Sequence, residues 1–308
     1  MSGAHVLFLF LDGVGLGDED PRCNPFLQAR LPALDGLLGP GWYLRSRGPI
    51  RGRLASLSPA DARLNVPGRP QSATGQASLL TGRNVAAEIG SHYGPKPTPP
   101  IRTALRNGNL FARVLAAGGR AAYLNPFPPR FFEAIESGRR LLSAIPLAAC
   151  AAGLRLHTHA DLVAGRAVSP DFTGEGWHDR LNMPDTPILT LDQAGGRLAH
   201  LGLAHTLVLL EHWPTDLAGH RQEMQAAVAA LERFDRVVAG LLDAWDHQRG
   251  TILITSDHGN IEDLSVRTHT LNPVPAIVIG RHHQQLADRI RDLTGVAPAL
   301  MQLISGER

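Results

Sequence analysis

"TILITSDHGN", residues 251–260, is an apolar run of strand length that ends in a carboxylate, an imidazole and a glycine. Consecutive apolar positions, rather than alternating ones, fit a strand buried on both faces, as in a parallel sheet. Working outward, "HVLFLFL" (5–11), "HTLVLLEH" (205–212) and "PAIVIG" (275–280) share that character, and "GRAAYLN" (119–125) is a weaker case. Between them lie segments with helical spacing: 109–119, 284–295 and the long stretch 220–248, which carries a charged opposite face. Strands alternating with helices predict an α/β fold, a doubly wound, mostly parallel sheet with helices on both faces.

The bulk composition bounds the rest. A chain of 308 residues, 44% hydrophobic, suits one large α/β core, alone or with a smaller insertion. A net charge of +2 implies no basic face for nucleic acid. Cys23 and Cys150, far apart, make neither a disulfide framework nor a zinc ribbon, as expected of a reducing cytoplasm. The N-terminal run "VLFLFL" is too short for a signal core or a membrane span, so the expectation is a soluble cytoplasmic protein with no membrane partner. Residues 1–90 and 200–308 are expected to form the core. The proline-rich stretch 84–204 reads as an inserted cap, with 103–126 assignable to either.

In open α/β sheets, ligands bind beyond the carboxyl ends of the strands. Three apolar runs deliver metal-type side chains there: Asp12 after the first, "EHWPTDLAGH" after the run at 205–212, and Asp257 with His258 after the run at 251–257. Asp216 and His220, four apart, share one face of a helical turn. Gly219 allows close packing beside them, and Gly259 is expected to bend the backbone so that Asp257 and His258 reach one ion. His269 follows in "THTLNPVP". Three carboxylates and three histidines suffice for two divalent ions with mixed nitrogen and oxygen ligands, manganese or zinc rather than calcium. Such a pair of ions is a usual clamp for phosphoryl chemistry. Hydroxyls come from "GRPQSATGQASLLTGRN" (68–84), ahead of a short helix whose N-terminus favours an anion. Ser72 and Thr74 both stand there.

Taken together, "LDGVGLG", "QSATGQ", "TDLAGH", "SDHGNIED" and "THTLNPVP" resemble, in order, the motifs of the alkaline phosphatase superfamily, most closely its branch with cofactor-independent phosphoglycerate mutase and phosphopentomutase. The resemblance covers roughly residues 5–15, 68–84 and 205–280. It implies one ion on Asp216, His220 and His269, and a second on Asp12, Asp257 and His258, with Ser72 as the metal-bound nucleophile. Gln76 stands where the mutases have histidine, and residues 84–204 are few for the domain that phosphoglycerate mutases insert. The expected activity is therefore a two-metal phosphatase working through a phosphoserine on a small phosphorylated substrate. A phosphomutase and a non-catalytic metal-binding module are the alternatives.

Taken singly, each motif has an ordinary structural role: Asp12 in a strand-to-loop turn, Asp216 as a helix cap, His258 as a satisfied core histidine. Their joint order is what carries the reading. Lys96, Arg83, His92 and Arg102 are candidates for binding substrate phosphate or carboxylate. Lys96 stands out as the only lysine of the 30 basic residues, which suggests a need for a compact ammonium. Glu262 and Asp263 read as solvated loop charges, with an option for one to orient a histidine ligand. His157 and His159 read as surface residues, and His212 has no assigned role.

Overall fold

The computed structural model describes residues 4–306. Its strands are β1 (His5–Leu11), β2 (Ile50–Arg51), β3 (Ala55–Ala60), β4 (Ala121–Tyr123), β5 (Pro126–Phe127), β6 (His157–Thr158), β7 (Leu207–His212), β8 (Gly250–Thr255) and β9 (Val274–Ile279). Seven of them form one sheet in the order β2-β3-β9-β8-β1-β7-β4, and β5 pairs with β6 apart from it. The continuous apolar run of β1 has the expected consequence. Val6, Phe8 and Phe10 feed one buried cluster, with the helices Ser72–Thr81, Leu110–Ala116, Ala144–Ala151 and Val296–Ser305. Leu7, Leu9 and Leu11 feed the other, with Leu191–Leu203 and Met224–Ala244. Alternate side chains of one strand thus fill two cores, which is the physical content of a doubly wound sheet.

β8, β1, β7 and β4 are mutually parallel, whereas β9 runs antiparallel to both β8 and β3. The cause is the connection. No helix crosses the sheet between β8 and β9, so the chain re-enters at the edge where β8 left it. That return carries His269 to the carboxyl ends of the parallel strands. The helical stretch read as continuous over 220–248 is also divided. A short helix, Pro214–Arg221, ends where Gln222 turns left-handed (φ 57°), and Met224–Ala244 starts afresh. Within 84–204, β4 joins the main sheet, and Ile101, Leu105, Phe111 and Ala148 share the cluster of Phe8. Leu162, Ala167 and Trp177 form a small cluster of their own. Among the described residues no helix is long and apolar enough to cross a membrane.

Candidate metal centre

The site assembles from the ends of elements. β1 ends at Asp12, β8 runs into Asp257 and His258, the short helix after β7 carries Asp216 and His220, and the loop before β9 carries His269. Ser72 opens the helix Ser72–Thr81, with its Oγ 3.1 Å from His258 Nε2. The same Nε2 is 3.4 Å from Asp12 Oδ1 and 3.6 Å from Asp257 Oδ2. Across the cluster, Asp216 lies 3.8 Å from His269 Nε2 and 3.3 Å from His220 Nε2. The rings of His258 and His269 stack at 3.6 Å, which joins the two sets. Asp12, Asp257 and His258 offer ligand atoms close enough for one ion, and so do Asp216, His258 and His269. His220 stands at the rim, partly exposed, and reaches the second set through Asp216.

Neighbours fix the ligand forms of two histidines. A carbonyl only accepts, so Nδ1 of His269 donates to Pro70 O (2.8 Å) and Nδ1 of His220 donates to Arg267 O (2.9 Å). Each Nε2 lone pair then faces Asp216. Donors also orient the carboxylates. Gln76 Nε2 reaches Asp257 Oδ2 at 3.1 Å, and Asn260 Nδ2 reaches Asp216 Oδ1 at 2.6 Å.

The electrostatics suit a cation. Burial, reinforced by Asp257, drives the Asp12 carboxyl well above its usual range. Burial and then Asp216 push Asp257 up to about 8. Burial and the neighbouring His269 hold His258 well below the usual imidazole range, hence neutral. Asp12 Oδ1 and Asp257 Oδ1 are buried without a hydrogen-bond partner. Crowded carboxylates, orphaned oxygens and neutral imidazoles are the donor set a divalent ion requires.

Glu262 corrects the reading of a solvated charge. It is buried and accepts from Gly15 N (2.9 Å), Asn260 N (2.8 Å), Asn272 Nδ2 (3.0 Å) and the Thr270 hydroxyl. One carboxylate thereby ties the loop after Asp12, the turn after His258 and the loop of His269. Gly259 also makes room for this contact, because a Cβ there would lie 2.2 Å from Glu262 Oε1; Gly15 makes the same room. His157 and His159 are likewise not free surface groups. His157 lies beside Asp161, and His159 stacks on Trp177.

The remaining candidates divide. Lys96 is half-buried, its ammonium shifted down by burial and by Arg140 and drawn up by Glu211, a buried carboxylate that takes the Tyr123 hydroxyl at 2.6 Å. Glu211 also acts on Asp12, so Lys96 and Asp12 share one buried carboxylate neighbour. Arg102 donates to Pro97 O and holds the Lys96 loop. His92 lines a cavity of about 520 Å³ with Arg69, Gln71 and Tyr93, next to Ser72. Arg83 pairs with Glu88 beyond the far end of the Ser72 helix, roughly 15 Å along its axis, and is not brought to the site. Arg69, missed in the sequence as one arginine among many, donates through Nη1 to His269 O at 2.7 Å.

Residues 198–307 match the family model described as "Metalloenzyme superfamily". A 2,3-bisphosphoglycerate-independent phosphoglycerate mutase of Parasynechococcus marenigrum (strain WH8102) is 33% identical over 118 residues, 34% of this chain and 22% of that protein. One from Cyanothece sp. (strain PCC 7425 / ATCC 29141) is 30% identical over 173 residues, 48% of this chain and 32% of that protein. The chain thus matches only about a fifth to a third of the length of these curated relatives. Among solved structures, the PH0037 protein from Pyrococcus horikoshii superposes with a TM-score of 0.57 at 16% identity, covering 99% of this chain and 98% of that one. The alkaline phosphatase from the Antarctic bacterium TAB5 does so with 0.53 at 10% identity, covering 98% of each. These two show fold alone. Residues 198–307 therefore carry the Metalloenzyme superfamily signature on an alkaline-phosphatase-like fold, the resemblance that the five motifs indicate.

Proposed function

We propose that the chain is a metal-dependent phosphomonoester hydrolase with Ser72 as its nucleophile. The observation that carries this is the position of Ser72: its Oγ stands 3.1 Å from His258 Nε2, at a helix N-terminus, against the buried Asp12–Asp257 pair. Two divalent ions, manganese or zinc, held by Asp12, Asp257 and His258 with Ser72 and by Asp216, His220 and His269, would supply Lewis acidity for the phosphoryl oxygens and lower the pKa of the hydroxyl. Ser72 Oγ bonds to phosphorus as the ester oxygen departs with its electron pair and takes up a proton. Water then attacks the phosphoserine, inorganic phosphate leaves, and the hydroxyl is restored. The backbone amides at the start of the Ser72 helix favour the transferring anion. Gln76 and Asn260 keep the carboxylates aimed, and Glu262 keeps the three loops in register.

We favour hydrolysis over intramolecular transfer because a cavity of about 520 Å³ lies against Gln71, the residue before Ser72, and would give water a route to the seryl phosphate. The names of the curated relatives favour the mutase as the second reading. We read residues 84–204 as the element that shapes this cleft, on a cytoplasmic protein.

The test is an acid quench of manganese-loaded protein turning over phenyl phosphate, followed by phosphopeptide mapping and analysis of phosphate released in ¹⁸O-water. Label on Ser72 and ¹⁸O in phosphate are expected. Ser72→Ala should lose the label and at least about 10⁴-fold in turnover while keeping its metal. Label on Thr74, or none during turnover, would overturn the assignment; phosphate that never acquires ¹⁸O would favour the mutase.

A further inference from the structure

Outside residues 84–204, the large apolar side chains left exposed among the described residues are Trp213, Leu217 and Leu271. All three are chain neighbours of one ligand set. Trp213 and Leu217 go with the helix of Asp216 and His220, and Leu271 closely follows His269. The other tryptophans, Trp42, Trp177 and Trp245, are packed into cores, whereas Trp213 is 46% exposed. The helix arranges these residues as a stripe. Trp213 has helical backbone (φ −91°, ψ −7°), and Leu217 N donates to its carbonyl at 3.3 Å. At about 100° per residue, Asp216, His220, Trp213 and Leu217 follow one another within about 100° of the helix circumference. His220 is partly exposed, so the apolar half of the stripe borders the open edge of the site. The bond from His220 Nδ1 to Arg267 O holds the loop of His269 and Leu271 against the same helix.

We propose that Trp213, with Leu217 beside it, is the platform for the leaving alcohol, and that the site selects phosphomonoesters whose alcohol is aryl or otherwise bulky and apolar. The inference rests on the phosphoryl-transfer reading above. In-line displacement by Ser72, which stands against His258, sends the leaving oxygen to the opposite side, that of Asp216, His220 and His269. The body of the alcohol then extends over the helix that carries two of these ligands, where the apolar stripe lies. Covering a contiguous apolar patch removes it from water, and the indole face adds stacking with an aryl group.

The experiment separates the platform from the reaction by using phosphonates, which cannot be hydrolysed. Calorimetry on manganese-loaded protein compares benzylphosphonate with methylphosphonate. The wild type should bind benzylphosphonate about tenfold more tightly. Trp213→Ala should bring that ratio to about two or below, and Trp213→Phe should keep most of it. Neither variant should change methylphosphonate or manganese affinity. Because Trp213 is the exposed tryptophan, acrylamide quenching of tryptophan fluorescence reads its cover directly. Benzylphosphonate should protect it, and methylphosphonate should not. A wild type that binds both phosphonates equally, or a ratio unchanged in Trp213→Ala, would overturn the proposal. So would equal weakening of both phosphonates or of manganese, which would show that Trp213 merely supports the helix. A drop in mass by sedimentation in Trp213→Ala would assign the stripe to contact between copies of the chain and overturn it too. If the ratio behaves as expected but no ester is hydrolysed, the hydrolase reading fails and the platform stands. If neither phosphonate binds, the phosphoryl reading falls and takes the platform with it.

Discussion

Asp161 and Asp257 are both buried aspartates, and their surroundings are opposite in charge. Asp161, in the segment between β6 and the main sheet's last strands, accepts from Arg155 at 2.6 and 3.0 Å, from Arg166 at 3.0 Å and from Thr158 N at 2.8 Å. Arg155 first, then the Thr158 amide and Arg166, hold its carboxyl well below the usual range. Asp257 takes a neutral donor from Gln76, has no Arg or Lys partner among the described residues, and is buried with Asp216 nearby, so burial and then Asp216 raise its carboxyl. A buried acid that brings its own counter-ions is complete and serves the fold. A buried acid crowded by its own kind is stable as an anion only when a cation arrives from outside. Glu262 lies between these cases, buried on four neutral donors, and serves the fold of the metal loops.

The largest effect should come from removing the uncompensated charge. Asp257→Asn keeps the shape and deletes a ligand. Manganese affinity should fall at least about a hundredfold, while the metal-free protein melts higher than wild type. The pH dependence follows in sign. A carboxyl raised in the folded state holds a proton that the unfolded chain releases, so stability of the metal-free wild type falls as pH rises from about 4 toward 8. Denaturant titrations in chelator at pH 5 and pH 8 should show that fall, and Asp257→Asn should flatten it. Unchanged manganese affinity in this variant would remove Asp257 from the metal set.

Asp161→Asn should do the reverse. Stability should drop by about 1–3 kcal/mol, with metal affinity and turnover intact. A carboxyl lowered in the folded state contributes stability that is present above its unfolded value and lost as pH falls through the folded one, so the variant's acid unfolding limb below about pH 4 should be shallower. Lost turnover without lost stability would show that this cluster acts on the chemistry.

Much of this contrast is written locally. Apolar runs closing on Asp12 or on Asp257–His258 announce both the strand and the chemistry at its end, because one short segment specifies each. Asp216 and His220 are legible for the same reason, through helical spacing. What depends on distant partners is not. "PAIVIG" is equally apolar whichever way it runs, and only the missing crossover sets β9 antiparallel. Glu262 and Asp263 are adjacent acids in one loop, and the one that turns inward is decided by Gly15, far away in the chain. Gln222 carries no residue-type signal for the left-handed turn that divides 220–248. Arg69 acquires meaning only when the His269 loop folds over it.

Lys96 gives the smallest expected effect and the sharpest use of the comparison. It is the basic side chain whose field reaches Glu211, and Glu211 in turn acts on Asp12, so Lys96 is a cation linked to the Asp12 side of the site through one shared carboxylate neighbour. Burial and Arg140 already hold its ammonium below the usual lysine range, which marks a charge kept against opposition. Its reach is set by Pro95 and Pro97 on either side and by Arg102, which holds Pro97 O. We extend the proposed hydrolase reading to Lys96: its ammonium would contact an oxygen of the transferring phosphoryl group. Lys96→Ala should therefore lower kcat/KM about tenfold for phenyl phosphate and for a carboxylated phenyl phosphate alike, one charge-assisted contact's worth. Lys96→Arg should recover little, since a planar guanidinium does not fit where a compact ammonium does. Equal turnover in all three proteins would reduce Lys96 to a partner of Glu211, and a loss confined to the carboxylated substrate would move it to the leaving-group side.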